Sequence, residues 1–137
     1  EHGMFVTLFY MLIDPHNNLI YYGTAGHNDQ ILSKHKSGQI KKLNARGKAR
    51  GVNSDSKYEE KVEIVEPGDL IVLFTDGVLE YLGRSDIDKG EERLIKMCVE
   101  NIDHNPSDFI DHYRTKLEKI DVDDDFLDDF TILFIKF

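Results

Sequence analysis

From Met4 to Asp14 the chain reads MFVTLFYMLID, apolar or β-branched almost throughout, and it ends in the turn cluster DPHNN. That pattern predicts a strand buried on both faces, with LIYYGTAG (Leu19–Gly26) returning beside it as a hairpin partner. QILSK and QIKKL, joined by HKSG, predict a second hairpin with Gly38 where a tight turn needs positive φ. Residues 44–55, NARGKARGVNSD, follow no period and read as a loop. KYEEKVEIVE then alternates as a half-exposed strand would, and PGD turns it into the buried run LIVLFT.

After Glu80 the period changes. Leu94, Ile95, Cys98, Val99 and Ile102 recur at helical spacing, and so do Phe109, Ile110, Tyr113, Leu117 and Ile120. Asn105 followed by Pro106 is the cap and first turn expected of the second helix. The aspartate run breaks helix formation, and FTILFIKF closes the chain as a strand. No internal repeat, linker or low-complexity stretch divides the 137 residues, so a single domain spanning 1–137 is expected, an α+β layered fold.

Composition changes this picture little and charge changes it more. With 40% hydrophobic and 31% charged residues the chain is globular in kind, and no stretch is long and apolar enough to span a membrane. The start EHGMFVTLFY lacks the layout of a signal peptide, so a cytoplasmic location is expected. One cysteine, Cys98, excludes a disulfide framework and any multi-cysteine zinc site; its place in a helical stripe makes it a core residue. The net charge of −9 is uneven: no acid occurs between Asp29 and Asp55, where Lys34, Lys36, Lys41, Lys42, Arg46, Lys48 and Arg50 gather, while six aspartates crowd Asp121–Asp129. The basic segment is either a solvated face or a surface that steers an acidic, phosphorylated partner. It holds no aromatic residue, and the chain is acidic as a whole, so no nucleic acid is expected as ligand.

The acids offer the chemistry. Asp76 ends the run LIVLFT, and Asp128 and Asp129 precede the last strand. If those strands are antiparallel neighbours, their carboxylates share one edge of a sheet, where a hard divalent cation such as Mg²⁺ or Mn²⁺ would relieve their repulsion. Gly77 would let the backbone turn sharply toward such a ligand. The competing reading is plain: Asp-Gly after a strand is a common turn signal, and acids before a terminal strand are commonly solvated. Asp121, Asp123 and Asp125 match the first ligand positions of an EF-hand loop, but Phe126 stands where the turn glycine belongs and Ile132 where the closing glutamate belongs.

Five segments in order, FVTLFYMLID, YYGTAGHNDQIL, YEEKVEIVEPGDLIVLFTDGVLE, GEERL and DDFTILF, resemble the second half of the SpoIIE/RsbU-type phosphatases. These form the bacterial branch of the metal-dependent (PPM) serine/threonine protein phosphatases. The resemblance implies a β-sandwich flanked by helices with two Mn²⁺ or Mg²⁺ ions at one end of the sheets. It implies Asp76 and Asp128 as catalytic metal ligands, with Asp129 beside the latter. It further implies hydrolysis of a phosphoserine or phosphothreonine ester by metal-activated water, on a phosphorylated protein regulator of the anti-anti-sigma type. His27 and Asn28 lie in AGHN, a segment matching a family motif; they would touch substrate, together with Arg46, Lys48 and Arg50, or His27 simply hydrogen-bonds its own turn. The Gly-Asp and Asp-x-x-Gly-His-Gly motifs with which family members begin do not occur here, the first of which supplies the metal-bridging aspartate. The expectation is therefore a domain incomplete at its N-terminus that binds Mn²⁺ weakly and turns over poorly or not at all, or else a non-catalytic binding module on the same fold. Uncovered sheet surface in such a piece would favour a homo-oligomer.

Overall fold

The computed structural model describes residues 4–51, 56–117, 129 and 131–137. The elements are β1 (Leu8–Asp14), β2 (Leu19–Ala25), β3 (Gln30–Ser33), β4 (Ile40–Leu43), β5 (Glu60–Ile64), β6 (Leu70–Phe74), α1 (Asp76–Gly83), α2 (Ile87–Glu100), α3 (Pro106–Leu117) and β7 (Ile132–Lys136). Strands β1-β2-β5 form one antiparallel sheet, and the order β4-β3-β6-β7 forms a second. The α+β class expected from the sequence is thus observed. The chain divides into two compact units, Glu1–Gln30 with Lys42–Glu66 and Ile31–Lys41 with Pro67–Phe137. The aspartate run from Asp121 to Asp128, with its EF-hand-like positions, lies outside the described residues.

In the first unit, Ile20 and Tyr22 are buried on one face of β2, and Phe9 stacks on Tyr22 with ring centroids 5.9 Å apart. β1 departs from expectation. It is the outermost strand of its sheet, and Leu8, Tyr10, Leu12 and Ile13 are exposed rather than buried on both faces. A continuous apolar run states that a strand could be covered twice; it does not supply the second cover.

The second unit is built around a core of Ile31, Leu70, Val72, Phe74, Val78, Leu79, Leu82, Leu94, Met97, Cys98, Phe109, Tyr113 and Phe134. Burying each large side chain of this kind contributes about 1.5–3 kcal/mol. Phe109 from α3 lies 4.2 Å from the Phe134 ring of β7, and Tyr113 meets the same ring edge-on at 6.3 Å. Cys98 sits among them, and burial pushes its thiol up to about 12, which keeps it protonated and inert. Local signals behave as predicted at two turns. Gly38 takes φ +67° where Gly38 N–H and Lys34 N–H close the β3–β4 hairpin, and Asn105 caps α3 by accepting from Asp108 N–H at 3.0 Å.

The buried carboxylate of Asp69, fully inaccessible, ties the ends of several elements. It pairs with Lys34 and accepts the His35 backbone N–H at 2.9 Å, while His35 Nε2 reaches Asp103 at 2.7 Å. α1 is an element the sequence reading did not anticipate. Its C-terminus is closed by Arg84 in the left-handed region, and Arg93 from α2 donates to the Leu82 carbonyl.

Candidate active site

β6 is buried at Leu70, Ile71, Val72 and Phe74, of which Leu70, Val72 and Phe74 share one core with the helices of the same unit, and it pairs with β7 in the register Phe74↔Ile132. The ladder continues one step further: Thr75 N–H donates to Thr131 O at 3.1 Å, and Thr131 N–H donates to Thr75 Oγ1 at 2.9 Å. Thr75 is also the N-cap of α1, and its hydroxyl, with no bond into the helix, holds the start of β7 instead. Asp76 and Asp129 therefore follow and precede two threonines that are fixed to each other. This is the antiparallel neighbourhood that the sequence implied, and sequence reading missed Thr75 as its fastener. No local signal disclosed it, since the Thr75 hydroxyl bonds the neighbouring strand and not the helix that follows it.

Asp76 is the first residue of α1 and is exposed. Gly77, expected at a turn, is instead a buried residue within that helix, because Val78, Leu79 and Leu82 carry a helical stripe into the core. Asp129 is exposed, and Asp128 lies outside the described residues. Being exposed, the two carboxylates are within reach of water, so their charge alone does not demand a cation. Their oxygen donors suit a hard ion such as Mg²⁺ or Mn²⁺ in kind, yet among the described residues no three His, Cys, Asp or Glu side chains gather to hold one. Among the described residues the fit is thus one of donor type.

The other candidates belong to the first unit. His27 follows β2, its Nδ1 3.3 Å from Thr7 Oγ1, with its backbone N–H donating to Thr24 Oγ1 at 3.1 Å and its carbonyl accepting from that hydroxyl at 3.2 Å. Asn28 accepts from the fully buried Gln30 Nε2 through both its carbonyls, at 2.9 and 3.1 Å. The basic loop is stitched to this turn by Gly26 N–H donating to Gly47 O at 2.8 Å. Only a glycine allows that approach at 47, since a Cβ there would sit 2.0 Å from Thr24 O.

Arg46 and Glu59 exchange hydrogen bonds: Glu59 N–H donates to Arg46 O, and Arg46 N–H to the Glu59 carboxylate, both at 2.9 Å. Arg50 exchanges backbone bonds with Val6 and stacks its guanidinium 4.7 Å above the Tyr58 ring. Arg46, Lys48 and Arg50 are exposed. The fold thus gathers His27, Asn28 and the basic loop into one cluster, which their separation along the sequence did not disclose.

Solved structures give this arrangement its class. The chain superposes on the RsbU and RsbW domains of Rv1364c from Mycobacterium tuberculosis with a TM-score of 0.77 at 19% identity, covering 95% of this chain and 35% of that one. The phosphatase domain of SpoIIE from Bacillus subtilis matches with a TM-score of 0.70 at 17% identity, over 95% of this chain and 55% of that one. The PP2C domain of SiaA from Pseudomonas aeruginosa matches with a TM-score of 0.72 at 17% identity, over 96% of this chain and 50% of that one. The fold is that of a PP2C-type phosphatase domain.

Sequence narrows the class. The chain is 30% identical over 130 residues to the phosphoserine phosphatase RsbU of Bacillus subtilis, covering 90% of this chain and 38% of that protein. Protein IcfG of Synechocystis is 30% identical over 104 residues, 74% of this chain and 16% of that protein. The family model for Stage II sporulation protein E (SpoIIE) matches residues 1–137, and the chain belongs to that family. It spans well under half the length of these two curated relatives.

Proposed function

We propose that residues 1–137 are part of a single serine/threonine protein phosphatase domain of bacterial phosphosignalling, acting in the cytoplasm on a phosphorylated regulator of the anti-anti-sigma type. The observation that carries this reading is the β6–β7 register, which fastens Thr75 to Thr131 beside Asp76 and Asp129. Asp76, Asp128 and Asp129 would hold Mn²⁺ or Mg²⁺. Bound there, the ion would supply Lewis-acid activation of water and neutralise phosphate charge. α1, which begins at Asp76, is anchored in the core through Val78, Leu79 and Leu82, and β7 is anchored through Phe134. His27, Asn28, Arg46, Lys48 and Arg50 would receive the phosphorylated segment, with the exposed cations attracting it.

A second reading, a binding module that recognises a phosphoprotein without hydrolysing it, is favoured by one observation: Arg46, Lys48 and Arg50 are exposed and need no metal ion to attract a phosphate. Hydrolysis of a phosphoserine peptide in Mn²⁺ separates the two. Slow Mn²⁺-dependent release of phosphate that Asp76→Asn removes supports the phosphatase reading. Phosphate-dependent binding of the peptide with no release supports the module. Binding that is indifferent both to the phosphate and to charge reversal at Arg46, Lys48 and Arg50 contradicts both.

A further inference from the structure

Arg50 is held at both ends. Its backbone N–H donates to Val6 O at 2.8 Å and its carbonyl accepts from Val6 N–H at 2.9 Å, while its guanidinium lies 4.7 Å from the centre of the Tyr58 ring. Tyr58 is half-buried and neighbours Gly47 as well, where a Cβ would come within 2.8 Å of the tyrosine Cδ1. Gly47 in turn accepts from Gly26 N–H, in the turn that carries His27 and Asn28. One aromatic ring therefore lies against both the Arg50 guanidinium and the glycine joined to that turn. Along the loop no acid occurs between Asp29 and Asp55 to compete for the cation. Glu59, the acid beside Tyr58, accepts from Arg46 N–H at 2.9 Å and lies 4.0 Å from Lys61 Nζ.

We propose that Arg50 is the residue of this loop that recognises phosphate and that Tyr58 positions it, the ligand being the phosphomonoester dianion of a phosphoserine segment. This assignment rests on the reading that the loop receives such a segment, and it adds which side chain reads the phosphate and what holds that side chain. Contact with an aromatic face uses none of the guanidinium N–H donors, so the planar fork is left to give two parallel hydrogen bonds to one oxyanion. Lys48 offers only a point charge. Because ring and backbone already hold Arg50, less rotamer freedom is lost when the anion binds.

Fluorescence anisotropy of a labelled phosphoserine peptide and its glutamate and serine counterparts, with the 137-residue chain in EDTA so that no metal ion contributes, tests it. The phosphoserine peptide is expected to bind most tightly. Arg50→Lys should weaken it about tenfold, since a point charge does not replace the fork. Tyr58→Leu should weaken it about two- to fivefold, the worth of an exposed cation–π contact, whereas Tyr58→Phe keeps the ring and the affinity. In an Arg50→Ala background Tyr58→Leu is expected to change nothing further; a ring that merely supported the loop would weaken binding in both backgrounds. Should Tyr58→Leu misfold by circular dichroism, Tyr58→Met takes its place and Arg50→Lys stands as a readout by itself. Unchanged affinity in Arg50→Lys, an equal loss from Tyr58→Leu in both backgrounds, or a glutamate peptide bound as tightly as phosphoserine overturns the proposal. The reading beneath it survives the first two results if Arg46→Glu/Lys48→Glu still weakens phosphoserine binding. A parent chain that binds all three peptides alike overturns both.

Discussion

Gly90→Ala sets two effects against each other within α2. Helix propensity alone favours alanine over an interior glycine by about 1 kcal/mol. Packing opposes it: a Cβ at position 90 would lie 1.9 Å from the carbonyl oxygen of Leu79 and 2.6 Å from its carbon, both backbone atoms of α1. No rotamer change relieves that contact. α1 and α2 must separate by more than an ångström, loosening Leu79, Leu82, Leu94 and Met97, which all belong to one core. Overpacking of this kind costs about 3 kcal/mol, the upper end of the usual range, because the obstacle is main chain. The net is a loss of about 2 kcal/mol, and in a chain of this size the melting temperature should fall by about 8 °C. Thermal unfolding followed by far-ultraviolet circular dichroism reads this directly. A melting temperature equal to or above the parent's would refute the close α1–α2 approach, and with it the account of how α1 holds Asp76 at its first turn.

Two further perturbations probe other parts of the structure. Lys34→Met leaves the buried Asp69 carboxylate without its cation and should cost about 3–5 kcal/mol. Lys34→Met/Asp69→Leu should recover part of that loss in chemical denaturation, and no recovery would contradict the pairing. Asp86 caps α2 by accepting from Lys89 N–H at 3.2 Å, and the Lys89 hydrogen bonds hold its carboxyl below the usual range. Its stabilisation is therefore present above the unfolded carboxyl pKa and is lost as pH falls through the folded value. Asp86→Ala should melt below the parent at neutral pH and together with it in strong acid, whereas a gap that persists in acid would show that the carboxylate's charge is not the cause.

What the sequence disclosed was what neighbours along the chain decide. The helical stripes of α2 and α3, the HKSG turn with Gly38, the Asn105 cap and the apolar runs of β6 and β7 all depend on residues within a few positions of one another. α1 stayed hidden because Asp76-Gly77 carries a turn signal and eight residues leave room for little more than two turns of periodicity. The open face of β1 stayed hidden because hydrophobicity reports a capacity for burial and not its fulfilment. In the candidate site, the pairing of the two strands that end and begin beside acids was legible. The join between the AGHN turn and the basic loop, made by Gly26 with Gly47, and the Lys34–Asp69 pair were not, since each links residues separated by a stretch with no shared pattern.

The central claim is that Asp76 and the acids before β7 together hold a hard divalent ion. Mn²⁺ binding to the 137-residue chain, measured by electron paramagnetic resonance of the free ion, tests it without relying on turnover. Weak binding is expected, falling at least about tenfold in Asp76→Asn and again in Asp128→Asn or Asp129→Asn, because each removes a charged oxygen donor. Mn²⁺ affinity that is unchanged by all three substitutions would contradict the claim.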